Sequence, residues 1–310
     1  MAHEHAAILA TEFNVLRKHA NAVIKLLDDG ATIPFIARYR KEMTGSMDEV
    51  TLRNIEIRHK ALNELDERKA FIINAIKEQG KLTAELKERI LTTLDPNTLE
   101  DIYVPFKPRR RTRAAEARSQ GLEPLARLLL DQRPGTKPEK AATKYLNDTV
   151  TTAEEALAGA SDIIAEWVAE NEKARSIVRA KYNRSATISS RVVRGKEEEG
   201  KNYENYFDFT EPLRLCSSHR YLAMRRGQAE GILRVSITID DDEMGDRLCR
   251  MFVRQSADET TSRLLIQAVK DGYKRLMKPS IENETAAAFK EKSDESAISM
   301  FADNVRQLLM

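Results

Sequence analysis

Cysteine is nearly missing from this chain of 310 residues. Only Cys216 and Cys249 are present, which leaves no disulfide framework and no metal-ligand spacing, and points to reduced thiols in a cytoplasmic protein. Glycine numbers 12 and aromatics make up 6%, while Ala, Leu, Glu, Lys and Arg abound, a balance that favours helix over strand. No stretch approaches the roughly 18 uninterrupted apolar residues that a membrane span needs. The opening "MAHEHAAILATEF" has neither the basic flank nor the long apolar run of a secretory signal. His3 and His5 read there as part of a frayed, solvated end. The formal net charge of +2 is too small to announce a nucleic-acid binder, so any basic footprint must be local.

Chemical motifs are missing as well. There is no phosphate loop ending in Gly-Lys-Ser/Thr, no G-x-G-x-x-G after a strand, no G-x-S-x-G elbow and no H-E-x-x-H helix. "RRGQAEG" spaces Gly227 and Gly231 without the Lys and Ser or Thr that a nucleotide site needs. "DDDEMGD", counted from Asp240, puts Met244 and Met251 where a calcium loop needs oxygen ligands, so it reads as an acidic surface turn. Ser217, Ser218 and His219 are adjacent, but neighbours at a helix start do not aim at one another as a nucleophile and its base must. Ser217 reads instead as an N-cap. No catalytic set, cofactor site or metal site emerges, and the expectation is a protein that is not an enzyme.

What is present is helical periodicity. Ile8, Val15, Leu16, Val23, Ile24 and Leu27 share one stripe. A second helix starts near Ile33, capped by Thr32 with Pro34 in its first turn, and presents Phe35, Ile36, Tyr39 and Met43 as a packed face. Gly45 stops it, and "SMDE" (Ser46 to Glu49) predicts a capping box for a long third helix. Leu52, Ile55, Leu62, Leu65, Ile72 and Ile76 carry that helix to Gly80, with His59 on its apolar side as a hydrogen-bonded core residue. Pro96, Pro105 and Pro108 then mark an ordered linker before helical stripes resume. "ATISSRVVRG" and "ILRVSITID" read as strands, the latter with Leu233, Val235, Ile237 and Ile239 on one side. Ser256 and Glu259 predict another capping box, and Pro279 a helix stop. The last helix spaces Ile298, Phe301, Val305 and Leu308 like a heptad seam. Its stripe is still running at Met310, so this face either docks back on the protein or belongs to a longer one. The fold expected is mainly α, a multihelical array of two helical subdomains with a minor β-hairpin or short sheet. The segments are 1–105, 106–195 with the basic Pro/Arg stretch, and 196–310 with the β element and the last helices.

One stretch concentrates charge. "PFKPRRRTRAAEARSQG" carries six cations and one carboxylate from Lys107 to Arg118, beside Tyr103 and Phe106. Prolines that keep the run extended let Lys107, Arg109, Arg110, Arg111 and Arg113 converge on phosphates, with Tyr103 or Phe106 as a stacking surface. Bridging to acidic neighbouring helices is the other reading, and both stay open. A second basic set, Lys270, Lys274, Arg275 and Lys278, lies near a helix C-terminus, where the helix dipole accounts for most of it.

"LLDDGATIPFIARYRKEMTGSMDE" (Leu26 to Glu49), "LEDIYVPFKPRRRTRAAEARSQGLEPLA" (Leu99 to Ala126) and "SSHRYLAMRRGQAEGIL" (Ser217 to Leu233) resemble the Tex family of bacterial transcription accessory proteins. The resemblance is ordered and spans the chain. It implies a cytoplasmic nucleic-acid-binding protein, with RNA or DNA and the transcription machinery as partners. Members of the family continue into an RNase H-like domain, helix-hairpin-helix modules and a C-terminal RNA-binding OB-fold domain. By that resemblance this chain is the N-terminal helical scaffold, with weak, sequence-blind nucleic-acid contact of its own or none. In the first motif, Arg40 is expected to share the edge of the packed face and to pair with Asp28, Asp29 or Glu49, leaving Arg38 and Lys41 more exposed.

Overall fold

The computed structural model describes residues 2–108, 112–254 and 258–309. Sixteen α-helices and a small sheet form among them, in two compact units, Met1–Lys107 and Pro108–Met310.

The first unit contains α1 (Ala2–Glu12), α2 (Arg17–Asp28), α3 (Ile33–Tyr39), α4 (Lys41–Thr44), α5 (Glu49–Glu78), α6 (Ala84–Thr92) and α7 (Pro96–Tyr103). Its backbone is α5, whose predicted stripe from Leu52 to Ile76 is buried throughout. The N-terminal half of α5 joins a cluster with Leu9, Val23, Ile24, Ile33 and Ile36; the C-terminal half joins Ile90, Leu99, Ile102 and Tyr103. Burying each such side chain contributes roughly 1.5–3 kcal/mol before ordering entropy is subtracted.

Several local expectations are corrected. The stripe from Ile8 to Leu27 is two helices, because Asn14 adopts φ 52 between them; Asn tolerates the left-handed region that most side chains avoid. His5 is not frayed: it is buried and its Nε2 meets Asp66 at 2.9 Å. His59 is buried as expected, with Asp28 at 3.3 Å and Asn63 at 3.3 Å. α5 is capped by Asp48, which accepts from the Thr51 amide at 2.7 Å, rather than by Ser46. Pro96 opens α7 instead of marking a linker, since the first turn of a helix does not need its missing N–H.

The motif around Arg40 departs furthest from expectation. The backbone breaks there (φ −129), so α3 and α4 are separate short helices. Ile33 and Ile36 point inward, whereas Phe35, Tyr39 and Met43 are 40%, 61% and 50% exposed. Arg40 pairs with no carboxylate among the described residues; its guanidinium lies 5.0 Å from the Phe35 ring centre.

The second unit contains α8 (Arg113–Ser119), α9 (Glu123–Asp131), α10 (Pro138–Ala142), α11 (Ala153–Glu170), α12 (Glu172–Ser185), α13 (Ser218–Ala229), α14 (Asp241–Phe252), α15 (Glu259–Asp271) and α16 (Lys278–Leu309). α11 is its central element, started by a full Thr152/Glu155 capping box and buried from Ala156 to Ala169 along most of its length. The strands are β1 (Thr187–Val192), β2 (Asp208–Pro212) and β3 (Leu233–Thr238), antiparallel in the order β2-β1-β3. Ile188 sits opposite Ile237, and Leu233, Val235 and Ile237 are buried as their alternation predicts. β2 was hidden in a charged loop: an edge strand with no buried residue carries no apolar alternation to read.

α15 is capped by Asp258, not by the predicted Ser256, which lies outside the described residues. Pro279 does not stop the chain. A π turn (Gly272–Met277) leads straight into α16; the wider turn gives the ring room that an α turn denies. α16 packs on α13 through Phe289, whose ring meets that of Tyr221, and the Tyr221 hydroxyl donates to the Ala286 carbonyl at 2.7 Å. Farther along, Ile298 and Phe301 are 69% and 70% exposed, so the predicted seam is not buried against this unit there. The Leu308 side chain lies outside the described residues.

Candidate nucleic-acid interface

The basic run begins where the first unit ends. After α7 a 3-10 turn (Val104–Phe106) delivers Lys107 in extended backbone, with φ −61 and ψ 131. Lys107 Nζ donates to Glu100 at 2.7 Å and lies 5.6 Å from the Tyr103 ring centre. Arg68 donates to the other Glu100 oxygen at 2.6 Å, with the Phe71 and Tyr103 rings 4.9 and 5.5 Å away. Burial pushes the Glu100 carboxyl up, but the hydrogen bonds from Arg68 and Lys107 outweigh it and hold the group below the usual carboxylate range. Tyr103 is 4% exposed, packed edge-on to Phe71, so its face belongs to the core. Phe106 is partly buried, and its carbonyl accepts from Gln79 at 2.8 Å.

Arg109, Arg110 and Arg111 lie outside the described residues. In the second unit, Thr112 caps α8 through the Ala115 amide at 3.0 Å, and Arg113 takes the first helical position, exposed to solvent. A cation at a helix N-terminus opposes the backbone dipole and contributes nothing to the helix there. Arg118 is different: it donates to the buried Glu166 and approaches Glu123. That end of the run is structural.

The second basic set is explained by ion pairs more than by a helix dipole. Lys270 meets Asp246 at 2.9 Å, Lys274 lies 3.9 Å from Asp242, and Arg275 bonds Asp271 and, at 2.8 Å, Asp162. Lys278 reaches Asp241. The acidic turn dismissed as a calcium loop is thus the start of α14, with Asp240 as its cap and its carboxylates facing these cations.

A basic cleft of about 660 Å³ in the second unit escaped the sequence reading. Arg127, Arg133, Lys137, Lys140 and Lys144 line it with Asp131. Arg127 lies 5.6 Å from the Trp167 ring centre and also bonds Glu123. Its signal was "KPEKAATK", where three lysines recur at near-helical spacing, but the helix there is too short to show a pattern.

Neither thiol is poised for chemistry. Burial, reinforced by Glu211, pushes Cys216 up to about 12, and burial raises Cys249. The Ser217 hydroxyl accepts from Arg220 Nε at 3.1 Å and stands 3.4 Å from His219, all at the solvent edge. Among the described residues no cluster of His, Cys, Asp and Glu could hold a metal ion, and no helix is long and apolar enough to cross a membrane.

Fold and surface together define a helical scaffold with localised basic surfaces. Residues 3–77 match the Tex-like protein N-terminal domain, and residues 133–301 match the Tex central region-like family. The chain belongs to the Tex family. It is 40% identical over 307 residues to the Transcriptional accessory protein Tex of Neisseria gonorrhoeae, covering 98% of this chain and 40% of that protein. It is 40% identical over 315 residues to protein YhgF of Escherichia coli, with 98% and 40% covered. The human S1 RNA-binding domain-containing protein 1 is 28% identical over 306 residues, with 93% of this chain and 30% of that protein covered. The chain therefore spans about 40% of the length of the bacterial relatives it matches.

Proposed function

We propose that this chain is a non-enzymatic cytoplasmic scaffold of a nucleic-acid-binding transcription accessory protein, and that it touches RNA or DNA weakly and without sequence preference through Lys107, Arg109, Arg110, Arg111 and Arg113. The observation that carries this reading is Arg113, exposed at the first position of α8 where it does nothing for the helix. Phe106, only partly buried, is the aromatic left for a base to stack on. The names of the relatives support the wider role, one as a transcriptional accessory protein and one as an RNA-binding-domain protein.

Fluorescence anisotropy across a salt series tests the reading. Three to five phosphates neutralised give a log–log slope of about −3 to −4 on duplex DNA, and Kd of about 10⁻⁴ to 10⁻⁶ M. Changing Arg109, Arg110 and Arg111 together to Ala is expected to flatten that slope and leave the fold intact. Unchanged binding at low salt would show that the run is structural, and no binding by the parent chain at low salt would favour the second reading, a protein-interaction scaffold without nucleic-acid affinity. That alternative draws on Leu222, Met300 and Phe301 around an open cleft between α13 and α16, and its binding would be insensitive to salt.

A further inference from the structure

Phe35 and Tyr39 on α3 and Met43 beyond the break at Arg40 face outward, and the turn between them is anchored to the core. Ile33, Ile36 and Thr44 are buried beneath it. Thr44 Oγ1 donates to the Arg40 and Lys41 carbonyls at 3.1 and 3.3 Å. Gly45 closes the turn at φ 68, so near α2 that a Cβ there would stand 2.1 Å from His19 Nδ1. What this anchored turn holds up to solvent is an aromatic pair, Phe35 and Tyr39, with ring centres 5.4 Å apart. Met43 follows on α4, past the break.

Scattered apolar residues on a surface are ordinary; this group is not scattered. Arg38, Arg40 and Lys41 are exposed on the same short segment, and among the described residues none of them pairs with a carboxylate. Arg40 instead stacks on Phe35 and donates to the Tyr39 carbonyl at 3.2 Å. The acidic counterweight within 33–45 is Glu42 alone. Partly exposed rings beside cations that meet no carboxylate among the described residues suit a ligand with flat rings on an anionic chain. The bases of a duplex are already stacked on one another, whereas those of a single strand are free to lie on a ring. An apolar protein segment would use the rings but leave three cations uncompensated.

We propose that Phe35 and Tyr39, with Arg38, Arg40 and Lys41 around them, form a platform for single-stranded nucleic acid, bases stacking on the rings and phosphates meeting the cations. This rests on the reading that the chain contacts nucleic acid, but it uses a different surface from the Lys107–Arg113 run and adds a preference for single strands. Met43, exposed on the same segment, adds a flexible apolar side chain.

The test uses the full chain with a fluorescent oligothymidine and a duplex of equal length. Phe35→Ala/Tyr39→Ala is expected to weaken oligothymidine binding about tenfold or more, as loss of a stacked base does, and duplex binding less than about twofold. Both rings are exposed, and an unchanged circular dichroism spectrum and thermal midpoint check the fold. Phe35→Leu/Tyr39→Leu, which keeps apolar bulk and removes the rings, should behave like the Ala pair. Photocrosslinking of an iodouracil-bearing oligonucleotide should map to residue 35 or 39. Equal losses on both nucleic acids, full binding by the Leu pair, or crosslinks only elsewhere would overturn the proposal. So would intact oligothymidine binding in the Ala pair. A loss seen only in Arg109→Ala/Arg110→Ala/Arg111→Ala would keep the basic-run reading and sink the platform. A loss seen only in the ring variants would do the reverse.

Discussion

The Tyr273 hydroxyl donates to the Asp241 carboxylate at 2.8 Å, while Lys278 holds the other oxygen of the same group. This joins the first turn of α14 to the π turn and to the start of α16. A hydrogen bond to a charged group is worth about 1.5–3 kcal/mol. Asp241→Ala is expected to lower the stability of the second unit by that order, and Tyr273→Phe by less. In urea unfolding, the double variant should cost less than the sum of the two, because both remove the same bond. Strict additivity would show that the bond does not form.

Gly272 approaches α11 more closely than any other residue type could. A Cβ placed there would lie 2.4 Å from the Ala165 carbonyl oxygen and 3.0 Å from its Cα. Backbone cannot step aside as a side chain can. Gly272→Ala is therefore expected to cost at least about 2 kcal/mol, within the range for overpacked cores. A thermal midpoint within a degree of the parent would show that the π turn tolerates the methyl group.

The Glu100 carboxyl carries a pH dependence whose sign follows from its neighbours. Burial alone raises its pKa, yet Arg68 and Lys107 hold it below the usual range. A depressed folded-state value means stability that is complete above the unfolded-state pKa of about 4.3. It is lost as the pH falls below that, through the folded-state value. The stability gap between the parent and Glu100→Gln should be widest near neutrality and shrink between pH 5 and pH 3. A gap that stays constant over that range would contradict the ion triad.

Cys216 and Cys249 are buried, and burial raises both thiols, Cys216 to about 12. Labelling by a thiol-disulfide reagent at pH 8 should be slow in the folded protein and complete within seconds once urea unfolds it. Rapid labelling of either thiol in the native state would mean that the second unit opens locally around it.

The helical class, the stripe of α5, the buried face of β3 and the family motifs were legible in the residues themselves. Each is a short-range pattern: a buried helix face repeats every three to four residues and a half-buried strand every two. Leu52 to Ile76 and Leu233 to Ile237 report their own burial that way. The same logic held at Ile36 and misled at Phe35, Tyr39 and Met43, because α3 buries its Ile33 and Ile36 side and the backbone turns at Arg40 before Met43. β2 and the cleft around Lys140 were invisible because a short, half-exposed element repeats nothing.

Which cations are free was decided by the tertiary structure alone. Arg118 and Lys278 look in sequence like Arg38 and Lys41, each a cation among polar and apolar neighbours. The fold brings Glu166 to Arg118 across 48 positions and Asp241 to Lys278 across 37, while no carboxylate among the described residues reaches Arg38 or Lys41. Charge acts through space, not along the chain. Composition therefore determined how many cations this protein has, and only folding determined which of them meet a carboxylate.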